Sequence, residues 1–363
     1  MPDALSAALE HLGAAVPRSE RLWGALRSLG PALATCPAAL ERLAPPPEVV
    51  ALWRRDLLGT RARNLLLLNE LEAALSALQA EGIETIVFKG AAALDRLYRD
   101  PGARPMDDAD LLIRPRDRVR AASVLGRLGY ALRPAEPGRF GPVDDALHGE
   151  WTFVRSVGRL EVELDLHWHL VADARLRRLF PGADDPDVWA RALPSRLGAA
   201  ATSRISPSDA ALTTAVAQPL GHPWSHPLGY LDLSLELADA DDGERVALGR
   251  RAAELGLGPL LWWSLRFAER LFGRGWGEGP AASAPSGLAR RLGEALVGGD
   301  WLGLAPFRRE MAARDLFVLL LAGPGGLARG LVGRTSAGRL PDPRGTARAA
   351  LALARAAGRA IAG

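Results

Sequence analysis

The sequence predicts an α+β fold in which a small mixed β-sheet sits between an N-terminal helical arm and a mostly helical C-terminal domain. Two observations carry this prediction. Apolar residues recur at threes and fours in both flanks of the 363-residue chain, which is the spacing of one helix face. Between residues 84 and 168 that period gives way, in places, to short runs of β-branched and aromatic residues and to strict apolar/polar alternation, the mark of strands. With 48% hydrophobic residues the chain can bury a full core, and its length suits two domains. The expected boundaries are a helical arm over 1–60, a sheet-bearing core over 61–175 and a helical domain over 176–363.

Taken in order, residues 1–58 keep helical spacing and break at "APPPE" (44–48), where three prolines mark a linker or a helix start. "RARNLLLLNELEAALSALQAEG" is an amphipathic helix with Leu65, Leu68, Leu71, Leu75 and Leu78 as its apolar series and Gly82 as its stop. "ETIVF" (84–88) reads as a buried strand ending at a Lys89–Gly90 turn. "AAALDRLY" is a short helix, "RDPGARP" a loop and "DADLLI" (108–113) a second strand. A helix then runs from Pro115 to Gly129, with proline at its start and glycine at its end. After a loose stretch over 134–150, "WTFVRS" and "LEVELDLHW" alternate about a turn at Val157–Gly158, as an antiparallel hairpin does. From about 171 the pattern is helical, with breaks at 181–186, 273–287 and 323–345 and a tail helix over 346–363. The "GPGG" at 323–326 lacks the Lys-Ser/Thr of a phosphate loop and reads as a break between helices.

Composition narrows the partners. The sequence pI of about 9.6 coexists with a formal net charge of only +3, and single-signed blocks are missing, which argues against a dedicated nucleic-acid surface. Cys36 is the one cysteine, so no intrachain disulfide is expected and the cytoplasm is the expected compartment. "MPDALSAALEHLG" has no cationic start followed by an apolar run and is not read as a signal peptide. The most apolar run, "LFVLLLAG" (316–323), falls well short of the roughly 20 residues a membrane helix needs. No membrane partner is expected.

The chemistry concentrates around Lys89, the only lysine among 45 basic residues. Residues two apart on a strand share a face, so Asp108 and Asp110 project together while Ala109, Leu111 and Ile113 face the core. On the hairpin strand Val162, Leu164 and Leu166 form the buried row, and Glu161, Glu163, Asp165 and His167 the polar one. If these strands share a sheet, three or four carboxylates converge, which calls for a divalent cation or raised pKa values. Oxygen ligands point to Mg²⁺ or Mn²⁺ rather than zinc. The same pattern also fits the solvated side of an ordinary sheet.

The series Gly90, Asp108-Ala109-Asp110, Asp165 resembles the nucleotidyltransferase superfamily of the polymerase β kind, and implies a nucleotidyltransferase-type mixed sheet. More narrowly, "GIETIVFKGAAALDRLYRDPGARPMDDADLLI" and "LEVELDLHWHL" resemble an uncharacterised bacterial nucleotidyltransferase family with a Lys-Gly turn, an Arg before the D-x-D and an acidic-x-His-Trp strand. The likeness runs from about residue 20 to about 238. The wider superfamily has Gly-Ser at the turn, whereas Ala91 follows Gly90 here. The resemblance implies that Asp108 and Asp110 bind catalytic metals and that Asp165 completes the site as ligand or base, with Glu163 as the alternative third carboxylate. It implies nucleoside triphosphate as co-substrate, held by Lys89, Gly90, Arg104 and His167, with transfer of a nucleoside monophosphate to an acceptor. An ammonium suits a single triphosphate oxygen, whereas a guanidinium needs a two-oxygen fit, and Gly90 lets phosphate approach the backbone.

Arg104 is expected at a β or γ phosphate. His167 is expected to orient Asp165 or touch nucleotide, or to be a hydrogen-bonded structural histidine, and Trp168 to pack. His222, His226 and Asp232 do not have zinc spacing and suit capping or an interdomain contact; no metal role is expected for His148 or Tyr98. The acceptor is unidentified. Modest net charge favours a small molecule or a peptide or protein hydroxyl over RNA. Two rivals stand beside this reading: an inactive nucleotide- or partner-binding regulator, and a phosphohydrolase on the same acidic face. The Gly90 turn and the lack of a His-Asp ligand pair in the sequence disfavour the second.

Overall fold

The structure, a computed structural model, describes residues 4–15, 23–24, 26–133, 149–172, 174–221 and 227–273, with positions 275, 284–285, 290, 294 and 321. The tail helix, the "GPGG" break, most of the 316–323 run, His148, His222 and His226 lie outside the described residues.

Seven strands, β1 (Thr85–Phe88), β2 (Ala109–Ile113), β3 (Ala131–Leu132), β4 (Glu150–Val157), β5 (Leu160–His167), β6 (Leu193–Leu197) and β7 (Ala200–Arg204), form one mixed sheet in the order β3-β4-β5-β2-β1-β7-β6. Helices α1 (Ala4–Ala15), α2 (Gly30–Ala34), α3 (Pro37–Leu43) and α4 (Pro47–Ala80) precede it. Between strands run α5 (Lys89–Leu97), α6 (Arg118–Arg127), α7 (Ala174–Leu179) and α8 (Val188–Arg191). A helical layer follows: α9 (Pro207–Gly221), α10 (Pro227–Glu236), α11 (Asp242–Glu254) and α12 (Gly258–Phe272). This is the α+β architecture expected. No described helix is long and apolar enough to cross a membrane.

One sheet face meets α4, whose buried stripe is Leu67, Leu71, Ala74, Leu75 and Leu78, and packs with Val87, Ala109, Leu111, Ile113, Val162, Leu164 and Leu166 in the main core. Leu65, expected in that stripe, is 53% exposed; two residues from Leu67 it lies about 200° round the helix. α4 begins at Pro47, so "APPPE" is a helix start, and the helix runs unbroken through residue 60. It ends as expected at Gly82, which adopts φ +68° while Ile83 N–H donates to the Leu78 carbonyl and Gly82 N–H to that of Gln79. That left-handed closing turn favours glycine. The opposite sheet face carries a smaller cluster of Ile86, Phe88, Leu112, Leu170, Val188, Ile205 and Ala210.

The hairpin β6–β7 corrects the helical reading of the chain beyond 171. "LPSRL" and "AATSR" have little intrinsic strand preference; β7 is held by the free edge of β1, pairing Ile86 with Ser203 and Val87 with Arg204 in parallel. The Thr85 and Thr202 hydroxyls meet at 3.0 Å across it. Pairing to an available edge outweighs local propensity here. In the helical layer Trp263 stacks on Phe267 with centroids 5.5 Å apart, and Tyr230 meets both edge-on. α1 packs on α12 and α10, joining the N-terminal helix to the same layer.

Candidate active site

β2 lies between β1 and β5, antiparallel to the first and parallel to the second, and this brings the acidic residues together. Asp110 is the register partner of Asp165 on one side and of Phe88 on the other. Because paired residues share a face, Asp110, Asp165, Glu163 and His167 project to one side, with Asp108 just before the strand. One carboxylate oxygen each of Asp108, Glu163 and Asp165 lie within 4.8 Å of one another, and ligand atoms of Asp110, Asp165 and His167 do the same. Asp165 belongs to both groups. Glu163 belongs to one and is also engaged by Arg133 at 2.6 Å, while buried Asp165 Oδ1 has no hydrogen-bond partner among the described residues. An orphaned carboxylate oxygen amid other carboxylates fits a hard divalent cation.

Lys89 supplies the positive charge. Its Nζ is 2.6 Å from Asp110 Oδ1 and 3.3 Å from His167 Nε2, and lies 5.1 Å from the Phe88 ring centroid. Its backbone has φ +50°, a left-handed conformation uncommon for a residue with a side chain and costing of order 1–2 kcal/mol. His167 is fully buried, with Nε2 2.9 Å from Asp110 Oδ1 and 3.1 Å from Glu150 Oε2. Its Nδ1 has no hydrogen-bond partner among the described residues. Two carboxylates at Nε2 and none at Nδ1 put the proton on Nε2, so His167 acts as a donor that orients Asp110.

The three aspartates are driven apart electrostatically. Burial, then the neighbouring Asp110 and Glu150 charges, push Asp165 up to about 8, against a hydrogen bond from Thr152. Burial followed by Asp110 raises Asp108 to about 6. Burial also works against an ionised Asp110, but Lys89 and His167 outweigh it and hold this carboxyl at about 2. Burial opposes the Lys89 charge too, yet Asp110, Glu150 and Asp108 together raise its pKa. The cluster therefore contains one firmly ionised carboxylate bound to an ammonium, a second that ionises near pH 6, and a third, Asp165, that keeps its proton at neutral pH until further positive charge arrives.

Residues 23–273 match the model of a family described as uncharacterised nucleotidyltransferases. The chain belongs to that family. No curated protein and no solved structure matched it.

In this nucleotidyltransferase-family chain, the loop before the acidic strand is tied to α4. Asn64 Nδ2 donates to the Pro101 and Arg104 carbonyls at 2.6 and 2.8 Å, and Arg61 Nε to Asp100 at 3.0 Å. Arg104 is held by Asp232 of α10: its Nε and Nη2 grip that carboxylate at 3.1 and 2.7 Å, and the Tyr98 hydroxyl donates to it at 2.7 Å. Asp232 thus ties α10 to Tyr98 and Arg104. A Cβ on Gly90 would lie 3.0 Å from Arg104 Nη1 and 3.2 Å from Met106 Sδ, so the missing side chain makes room for these two. Asp232→Ala strands a buried guanidinium, and is expected to cost about 3–5 kcal/mol in chemical denaturation. Restoring the loss by adding Arg104→Met would identify the stranded charge as the cause.

Glu150 and Thr152 escaped the sequence reading, which began this strand at Trp151 and left residue 150 in a loop. A signal was available. Pairing Val157 with Leu160 fixes Glu150 opposite His167 and Thr152 opposite Asp165. The fold also makes His-Asp pairs where the sequence pattern shows none: His167 with Asp110, and His169 Nδ1 with Asp184. Trp168 is buried and meets Trp151 edge-on at 5.1 Å, as packing requires.

Proposed function

We propose that the chain is a cytoplasmic, metal-dependent nucleotidyltransferase that moves a nucleoside monophosphate from a nucleoside triphosphate to an acceptor hydroxyl and releases pyrophosphate. The observation that carries this reading is the convergence of Asp108, Asp110 and Asp165 on one sheet face beside Lys89. Asp108 and Asp110 are the metal ligands, and Asp165 completes the site as ligand or as the base that receives the acceptor's proton. Mg²⁺ or Mn²⁺, when bound, would steady the entering and departing oxygens of the displacement. The acceptor oxygen forms a bond to the α-phosphorus as the bond to the β-phosphate oxygen breaks. His167 orients Asp110. Lys89 and the Gly90 backbone meet the triphosphate, and Arg104, whose Nη1 lies against the space a Gly90 side chain would fill, stands beside that turn on its Asp232 anchor. The acceptor is a small molecule or a peptide or protein hydroxyl.

The test is incubation with Mg²⁺ or Mn²⁺ and each α-labelled nucleoside triphosphate, following pyrophosphate and label on the protein or on added acceptors. Released orthophosphate without label transfer would favour a hydrolase, and binding without turnover a regulator. Lys89→Arg is expected to lower turnover on the order of 10²-fold, as for loss of one preorganised donor, with an unchanged unfolding midpoint. Near wild-type turnover would mean that either cation serves at this position.

A further inference from the structure

The ammonium of Lys89 sits on the carboxylate that the proposed reaction needs for a metal ion. Asp110 Oδ1 receives both Lys89 Nζ, at 2.6 Å, and His167 Nε2, at 2.9 Å. A divalent cation on this carboxylate and an ammonium in hydrogen-bond contact with it repel strongly at such separations. Lys89 has a way out, because 35% of its side chain is exposed whereas Asp110's is 4% exposed. Its left-handed backbone, φ +50°, shows that the residue is held in this pose by what surrounds it.

We infer that Lys89 is an exchangeable internal cation: it neutralises Asp110 in the metal-free protein, leaves that carboxylate when a divalent cation binds, and transfers its charge to the triphosphate. This rests on the metal-dependent reading above and adds an order to it. Metal alone must displace Lys89 with no anion to receive it. Nucleotide alone must draw Lys89 off Asp110 and leave that buried carboxylate uncompensated. Each ligand therefore strengthens the other's binding, and by linkage the factor is the same in both directions.

As Lys89 is the only lysine in the chain, its ε-amino group can be followed directly. The full-length protein is pulse-acetylated at fixed pH with chelator, with Mn²⁺, or with Mn²⁺ plus an α,β-methylene nucleoside triphosphate, taking each of the four analogues in turn. A lysine peptide in the same tube serves as standard, and Lys89 acetylation is read by mass spectrometry. Slow labelling in chelator, about tenfold faster labelling with Mn²⁺ and renewed protection with Mn²⁺ and analogue together are expected. An acetylation rate unmoved by saturating Mn²⁺ overturns the exchange. In a parallel Mn²⁺ titration, Lys89→Gln should bind Mn²⁺ alone about tenfold more tightly than wild type and lose the enhancement by analogue. Equal affinities, with wild-type Mn²⁺ binding intact, overturn the exchange alone. Absence of Mn²⁺ binding to wild type even with every analogue overturns the metal-dependent reading together with it.

Discussion

Asp110→Asn is expected to lower nucleotidyl transfer on the order of 10³-fold or more, equivalent to about 4 kcal/mol of transition-state stabilisation, while its unfolding midpoint moves much less. Asp110 is buried, is held ionised near 2, and takes both Lys89 and His167 on one oxygen. Asparagine keeps the shape and can still accept from both nitrogens. It removes the charge that a metal ion needs and leaves the Lys89 ammonium facing a neutral amide. Some stability is therefore lost, as when a partly buried pair loses one partner, but Glu150 and Asp108 still lie close enough to act on Lys89. Activity and Mn²⁺ binding should fall together in the variant. Turnover within tenfold of wild type would mean that Asp110 is not a catalytic ligand, whatever its place in the cluster.

Much of this site was legible because strand geometry is periodic. Alternation alone puts Asp108 with Asp110 and Glu163 with Asp165, and the buried rows Leu111/Ile113 and Val162/Leu164/Leu166 came out as read. Alternation does not say which strands are neighbours. The parallel pairing of β2 with β5, which sets Asp110 beside Asp165, depends on the whole chain folding back past α6 and β4. Glu150 was hidden for a related reason: it is the first residue of a strand whose upstream flank lacks strand character, so its role follows from register. The partner of Arg104 was hidden from its sequence neighbourhood. Asp232, 128 residues later, is the counter-charge that captures it, and no local pattern announces that ion pair. The β6–β7 hairpin was illegible outright, since its strands are defined by the edge of β1 and hardly by their own residues.

Asp165 connects the site to stability, with a sign that can be worked out. Its pKa in the folded chain is raised to about 8, against roughly 3.9 for an unperturbed aspartate. Below about pH 4 the carboxyl is protonated whether the chain is folded or not, and pH has no leverage through it. From there to about pH 8 the unfolded chain releases the proton and the folded chain keeps it, so stability falls by up to about 1.4 kcal/mol per pH unit and levels off above 8. Asp108, raised to about 6, adds the same sign over the lower half of that window. Asp110, held at about 2, contributes stability that is fully present above about pH 4 and is lost only as pH falls through 2. In chelator, Asp165→Asn should therefore gain on wild type by a few kcal/mol between pH 5 and pH 8 in urea unfolding. The slope of that difference carries the information, because any change in packing or hydrogen bonding by the amide is the same at both pH values. Mn²⁺ at pH 8 should raise the wild-type midpoint, since its charge lets Asp165 ionise without penalty, and should raise that of the Asn variant less. Parallel pH profiles for the two proteins would show that Asp165 ionises in the folded chain as freely as in water, and the crowded-carboxylate account of the site would fail with it.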